Sequence, residues 1–275
     1  MNKTFPRSPE QVATMAAFAL CGAMLLVTLL AYGLDNRMLR DVNIWSKPVK
    51  FALSFGLHLA TLLCLASLLT HEAQQYLSTR VALLAASVAS ITEVFYVALQ
   101  SARGRASHFN FETPFESLMY YGVMGGAALV IVMATFALGV SVLKHPKPSL
   151  ATGLRLGAGL GAIFCAIATL IVAGALASGR FSGAGPWIGS IRTDAGGLPI
   201  VGWSRNVGDL RVPHFFATHL IQILPLVGWL ADQLASKTRF SLKPDWVVIV
   251  VLMLSLLLVT WLFVQALSGK PFIGQ

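Results

Sequence analysis

The feature that most constrains this chain is its last long apolar run, WVVIVVLMLSLLLVTWLFVQALSG, residues 246–269, which holds no ionisable side chain. An α-helix of about 20 apolar residues crosses the hydrocarbon layer of a bilayer. In lipid every backbone N–H and C=O must be satisfied within the segment, which selects helices. The same pattern recurs along the chain. The expected spans are 12–33, 48–70, 80–100, 115–143, 152–178, 212–234 and 246–267. The expectation is therefore an all-α, polytopic integral membrane protein, with seven transmembrane helices in one bundle and one domain over 1–275. Composition agrees: charged residues make up 11%, against about 25% in soluble domains.

The N-terminal MNKTFPRSPEQ resembles the n-region of a signal peptide. The apolar run that follows, Ala13 to Gly33, is longer than a typical h-region, so it reads as a retained first helix. The formal charge is +9. Its basic residues flank apolar segments, which points to anionic lipid headgroups. Zinc-finger spacing, a glycine-rich phosphate loop and a basic aromatic tract are all missing, so nucleic acid is not an expected partner. Cys21, Cys64 and Cys165 lie inside apolar segments and read as packing residues.

Seven spans place the termini on opposite faces, here A for the N-terminal face and B for the other. Face A carries nine of the 20 basic residues: Lys3, Arg7, Arg80, Lys144, Lys147, Arg155, Lys237, Arg239 and Lys243. A plain positive-inside count thus favours face B as cytoplasmic. Residue context argues the other way. SVLKHPKPS and ASKTRFSLKPD look like ordinary cytoplasmic turns, whereas the face B arginines sit among acids, His and Asn. The expectation is a bacterial inner membrane protein with a cytoplasmic N-terminus.

Local signals mark the helix boundaries. Thr113-Pro114-Phe115-Glu116 reads as a capping box with proline at the first helical position. Pro48, just after Ser46 and Lys47, marks the second start. Gly153, Gly157 and Gly161 lie four apart, as do Gly122 and Gly126. This small-xxx-small spacing suggests close packing between the fifth and fourth spans.

Three polar segments fall on face B: DNRMLRDVNIWSKPVKF (35–51), SARGRASHFNFETPFES (101–117) and the long glycine-rich link from Gly179 to His214. Long connections without secondary structure are uncommon in compact domains and often functional. Inside the spans, the notable groups are His58, Glu93, His219 and Gln222. At 1.5 Å rise per residue their depths below face B are about 15, 10, 9 and 13–14 Å. A charged carboxylate at mid-membrane costs roughly 2.5–3.5 kcal/mol, so Glu93 must be protonated, paired or hydrated. Tyr96 and Gln100 extend its face toward the surface. Pro225 frees the carbonyl of Ile221 beside His219 and Gln222. His214 stands about 140° around the helix from His219 and fits a residue at the interface. In the second segment, His108 has Arg103 and Arg105 close by in sequence, with Asn110 and Glu112 just beyond.

These residues suggest a redox protein with b-type haem, a quinone, or both, near face B. His58 and His219 are the expected axial ligands. Arg103, Arg105, Arg205 and Arg211 would meet propionates or another anion, and Phe51, Phe55, Phe215 and Phe216 would line the ring. Glu93, His108 and Gln222 are the candidate proton-handling and catalytic groups. A quinone, or a second membrane redox protein, is the expected partner besides lipid.

Three other classes compete. An intramembrane enzyme acting on a lipid or amphiphile would use zinc on His58, Glu93, His219 and His108, but neither HExxH nor HxxxH occurs. A proton-coupled transporter would use Glu93, with a gate at Pro225, but no internal repeat is evident. A structural or assembly subunit would use the face B loops to hold another protein. A retinal Schiff base is disfavoured, because the last span contains no lysine.

Overall fold

The computed structural model describes residues 8–181, 185–237 and 243–274. Lys3, Arg7 and Arg239, counted above on face A, lie outside them. Helix α1 (Pro9–Leu34) opens on a complete capping box: Ser8 accepts from the Gln11 backbone and Gln11 returns a bond to the Ser8 backbone. A short hairpin, β1 (Met38–Leu39) and β2 (Val42–Asn43), leads into α2 (Ser46–Ser67). Its two turn residues, Arg40 and Asp41, have φ of 54° and 66°, the left-handed pair of a type I′ turn. A one-turn helix, α3 (His71–Gln74), precedes α4 (Leu77–Ala102).

The fourth span is composite. It comprises α5 (Pro114–Leu118), a π-helical turn (Met119–Met124) and α6 (Gly125–Lys144). Then come α7 (Thr152–Ala177), the strand pair β3 (Trp187–Ile188) and β4 (Gly208–Asp209), α8 (Arg211–Thr218), α9 (Leu220–Lys237) and α10 (Pro244–Leu267). Among the described residues six helices are long and apolar enough to span a membrane, or seven if α8 and α9, bent by 41°, form one span. The protein is an all-α polytopic membrane bundle.

Three local expectations need correction. The bend falls at His219, the residue between α8 and α9, while Pro225 lies inside α9. The glycine face of α7 meets α9, not the fourth span. A Cβ on Gly161 would stand 2.8 Å from the Leu220 carbonyl, one on Gly157 would strike the Leu224 carbonyl, and one on Gly228 would strike Gly153. Gly126 has open space around it, and α6 meets α7 through Gly139 against Gly159 instead. The box at Thr113 is also modified. Thr113 accepts from the Glu116 backbone, but Glu116 takes its return bond from the Thr113 hydroxyl, because its carboxylate is drawn toward arginine.

The helices sort into two groups. α1, α2 and α4 pack together, α7, α8, α9 and α10 pack together, and α6 touches α4, α2 and α7. On face B the loops are tied to one another. Arg37 donates to the Ala102 carbonyl, Ser101 donates to that of Ile44, and Asp194 N–H donates to that of Arg40. The described part of the long link, 185–210, therefore forms a cap. Its buried Trp187 pairs in register with Asp209, and buried Trp203 packs on Phe215 and Phe272.

Candidate functional site

A seam runs between the two helix groups, where α2 faces α9. The first tie across it is Gln222 Nε2, which donates to Thr61 Oγ1 at 3.1 Å. Both helices run from face B toward face A. His58 and His219 each precede their member of that pair by three residues, so both lie about 4.5 Å nearer face B. Counted from that pair, the two histidines come to about the same level, whereas counting from the helix starts separates them by about 6 Å.

Hydrogen bonding fixes the two tautomers. Thr135 donates its hydroxyl to the Ile131 carbonyl at 2.8 Å, so its oxygen accepts from His58 Nε2–H at 3.2 Å. The lone pair of His58 is then on Nδ1. His219 Nδ1–H donates to the Phe215 carbonyl at 2.8 Å, which leaves the lone pair on Nε2. The His219 ring also lies against Phe215, with centroids 4.0 Å apart. Gln222 Oε1 is buried without a hydrogen-bond partner. The seam therefore presents an imidazole lone pair and a bare amide carbonyl within one helical turn.

Glu93 on α4 is 3% exposed. Its carboxylate makes no hydrogen bond or ion pair among the described residues; the cation that acts on it is Lys47. The expected polar face above it is real but turned inward. Gln100 donates to Tyr96 at 2.9 Å and accepts from Arg103 at 2.9 Å.

His108 packs between Phe51 and Tyr120, with centroids 5.5 and 5.6 Å away. Tyr120 belongs to the π-helical turn, a feature that recurs at functional sites. Burial, and then the charges of Lys47 and Arg40, hold the His108 imidazolium well below the usual 6.5. Arg103 and Arg105, its neighbours in sequence, instead reach Glu116 at 3.5 and 2.7 Å. Asn110 serves its own loop, donating to the Ala106 carbonyl and accepting from Glu112 N–H.

Three of the four arginines expected at an anion are thus occupied by carboxylates. Arg211 binds Asp194 at 2.6 Å and Asp209 at 2.7 Å. Arg205 has no ion pair among the described residues, and its Nε is buried without a partner. Among the described residues no cluster of three or more His, Cys, Asp or Glu is placed to hold a metal, so the four-residue zinc set is not assembled.

The sequence reading passed over Lys47, Lys50, Thr61 and Thr135. The signal for two of them was present in spacing. Lys47, Phe51, Phe55, His58 and Thr61 recur every three or four residues, one face of α2 from face B inward. Thr135 sits in a uniformly apolar helix, and only the fold brings it to His58. No family model, curated protein or solved structure matches this chain.

Proposed function

We propose that this is a redox protein of the bacterial inner membrane, with its N-terminus in the cytoplasm, that takes a quinone head group into the seam between α2 and α9. The observation that supports this reading most is the Thr61–Gln222 bond, three residues beyond His58 and His219 on their helices, with the His219 Nε2 lone pair unused. A quinol hydroxyl donates to that nitrogen, and a ring substituent or second hydroxyl meets the bare Gln222 carbonyl. Quinol oxidation releases two protons and two electrons. His219 accepts the first proton, Glu93 is the buried carboxylate available to carry one toward face B, and a second membrane redox protein receives the electrons.

A b-type haem between the same histidines is the other redox occupant. His219, held through Nδ1 with Nε2 bare, is set up as an axial ligand. His58 is less so, since Thr135 holds its Nε2. This asymmetry favours the quinone.

The test begins with the visible spectrum of the purified protein, oxidised and dithionite-reduced, with metal analysis on the same sample, followed by titration with a short-chain quinol. Saturable quinol binding by a colourless protein, lost in His219→Ala, is expected. A Soret band lost in both His58→Ala and His219→Ala transfers the site to haem. A colourless protein that binds no quinol overturns the reading, and stoichiometric zinc in it directs attention to metal-dependent hydrolysis.

A further inference from the structure

Arg40, Lys47 and Lys50 are three cations that form no ion pair among the described residues. We propose that they form a binding site for a phosphate group at the face B end of α2, beneath the cap. This inference does not rest on the quinone reading.

The three converge from two elements. Lys47 lies in the first turn of α2 and Lys50 just beyond it, and Arg40 is in the hairpin turn before the helix. Each acts electrostatically within one local group: Arg40 feels Asp194 and Arg211, Lys47 feels Arg40 and Glu93, and Lys50 feels Arg211 and Asp194. Their positions are fixed by contacts that leave the charge unspent. Arg40 lies over the Trp187 ring at 5.5 Å, as does Arg211, also at 5.5 Å. Lys47 lies over Phe51 at 5.5 Å. Lys50 donates to the Val201 carbonyl at 2.9 Å.

The neighbouring acids are engaged elsewhere. Asp194 and Asp209 are bound by Arg211, and Asp41 accepts from Thr193. Asp35 is held by Arg37 and by the Trp45 indole N–H, which together pull its carboxyl far below the usual carboxylate range. Glu93 lies deeper, in α4. None of Arg40, Lys47 and Lys50 forms an ion pair among the described residues. The helix end adds to the field. The N-cap, Trp45, gives the helix end no side-chain capping bond, and the first turn of α2 has no acid. A helix N-terminus carries about half a positive charge.

Three cations and a bare helix end suit a group with more than one negative charge. A phosphate monoester, at roughly −1.5 to −2, matches them better than a carboxylate does. The donor chemistry is the same whether the phosphate is free or heads a lipid. Of the four arginines that sequence position suggested for an anion, Arg103, Arg105 and Arg211 are paired with carboxylates instead.

The experiment uses the full-length protein in nanodiscs of neutral lipid at fixed ionic strength. It is titrated with inorganic phosphate and, separately, with dihexanoyl phosphatidic acid, while tryptophan fluorescence is followed. Saturation is expected, weakened about tenfold or more in Lys47→Gln and in Lys50→Gln, and unchanged in Lys144→Gln on the other face. Saturation by inorganic phosphate identifies a free phosphate as sufficient; saturation by phosphatidic acid alone identifies a lipid headgroup. Where a lysine variant lowers the melting temperature, Arg40→Gln on the surface turn carries the same comparison. No saturation with either probe, or full affinity in variants that melt like the parent protein, overturns the proposal.

Discussion

Helix α9 has two unlike sides. Toward α7 it is joined backbone to backbone. Gly153, Gly157 and Gly161 lie against Gly228, Leu224 and Leu220, with no space left for a Cβ. Toward α2 it is joined by the Thr61–Gln222 hydrogen bond, and the other half of that amide is left bare. In lipid, close van der Waals packing is what holds helices together, and interhelical hydrogen bonds add little. One side of α9 is therefore a fixed joint. The other is a seam with little to hold it shut, and it is where the proposed quinone would enter from the bilayer.

The largest expected effect comes from breaking the joint. In Gly157→Val the added Cβ meets the Leu224 carbonyl group, whose carbon stands 2.8 Å away. The clash is with backbone, which no rotamer relieves. A loss of about 3 kcal/mol or more is expected, seen as a collapse of the detergent melting temperature. Gly126→Ala, where nothing lies within 4 Å, is the control and stays within about 0.5 kcal/mol. If both variants behave alike, the joint is not where the stability resides.

This contrast also marks what the sequence disclosed. The spans were legible because apolar runs of membrane length have one physical outcome, and the helix start near Ser46 was legible from proline. The glycine spacing announced a close contact but not its partner, since spacing describes one helix surface and α6 and α9 both adjoin α7. At the site, intramembrane His58, Glu93, His219 and Gln222 stood out because polar groups in lipid are expensive. Thr61 and Thr135 did not, because a threonine hydroxyl is satisfied by its own helix carbonyl anywhere. Nor did charge say which arginines were free. Glu116, Asp194 and Asp209 claim three of them through contacts that loop geometry decides.

The cap closes the seam from face B, and its centre is Asp209. That carboxylate is 1% exposed and accepts from the backbone N–H groups of Ser204 and Arg211 and from the Arg211 guanidinium. Asp209→Asn removes the charge that holds Arg211 in place. About 3 kcal/mol is expected, the lower end for breaking a buried pair, since Arg211 keeps some solvent contact. Cleavage of the 185–210 segment by added protease is expected to accelerate while α7 against α9 stays protected. A variant as resistant as the parent would mean that Trp187 alone fastens the cap.

A smaller effect follows from His108, which belongs to the loop packed on the face B end of α2. Its folded-state imidazole resists protonation, while in the unfolded chain it takes a proton near 6.5. Below that pH the unfolded state binds the extra proton, so stability is retained above about 6.5 and falls as the pH drops. The slope from one such group is at most about 1.4 kcal/mol per pH unit. His108→Gln should flatten the melting temperature between pH 6.5 and 5. An unchanged slope would assign the acid sensitivity to another group.

The smallest effect on stability is expected at the seam itself, and it is the most informative. Gln222→Leu removes one interhelical hydrogen bond, worth about 0.6 kcal/mol in a membrane bundle. It also removes a buried carbonyl that has no partner, which offsets part of that loss. The melting temperature should barely move. Quinol affinity should fall about tenfold, because the ligand loses both its acceptor and the bond that ties α9 to α2. Thr61→Val removes the same bond but keeps the Gln222 carbonyl, so its binding loss should be the lesser. If Gln222→Leu melts as early as Gly157→Val, the hydrogen bond is a structural fastening, and the two sides of α9 differ in chemistry but not in purpose.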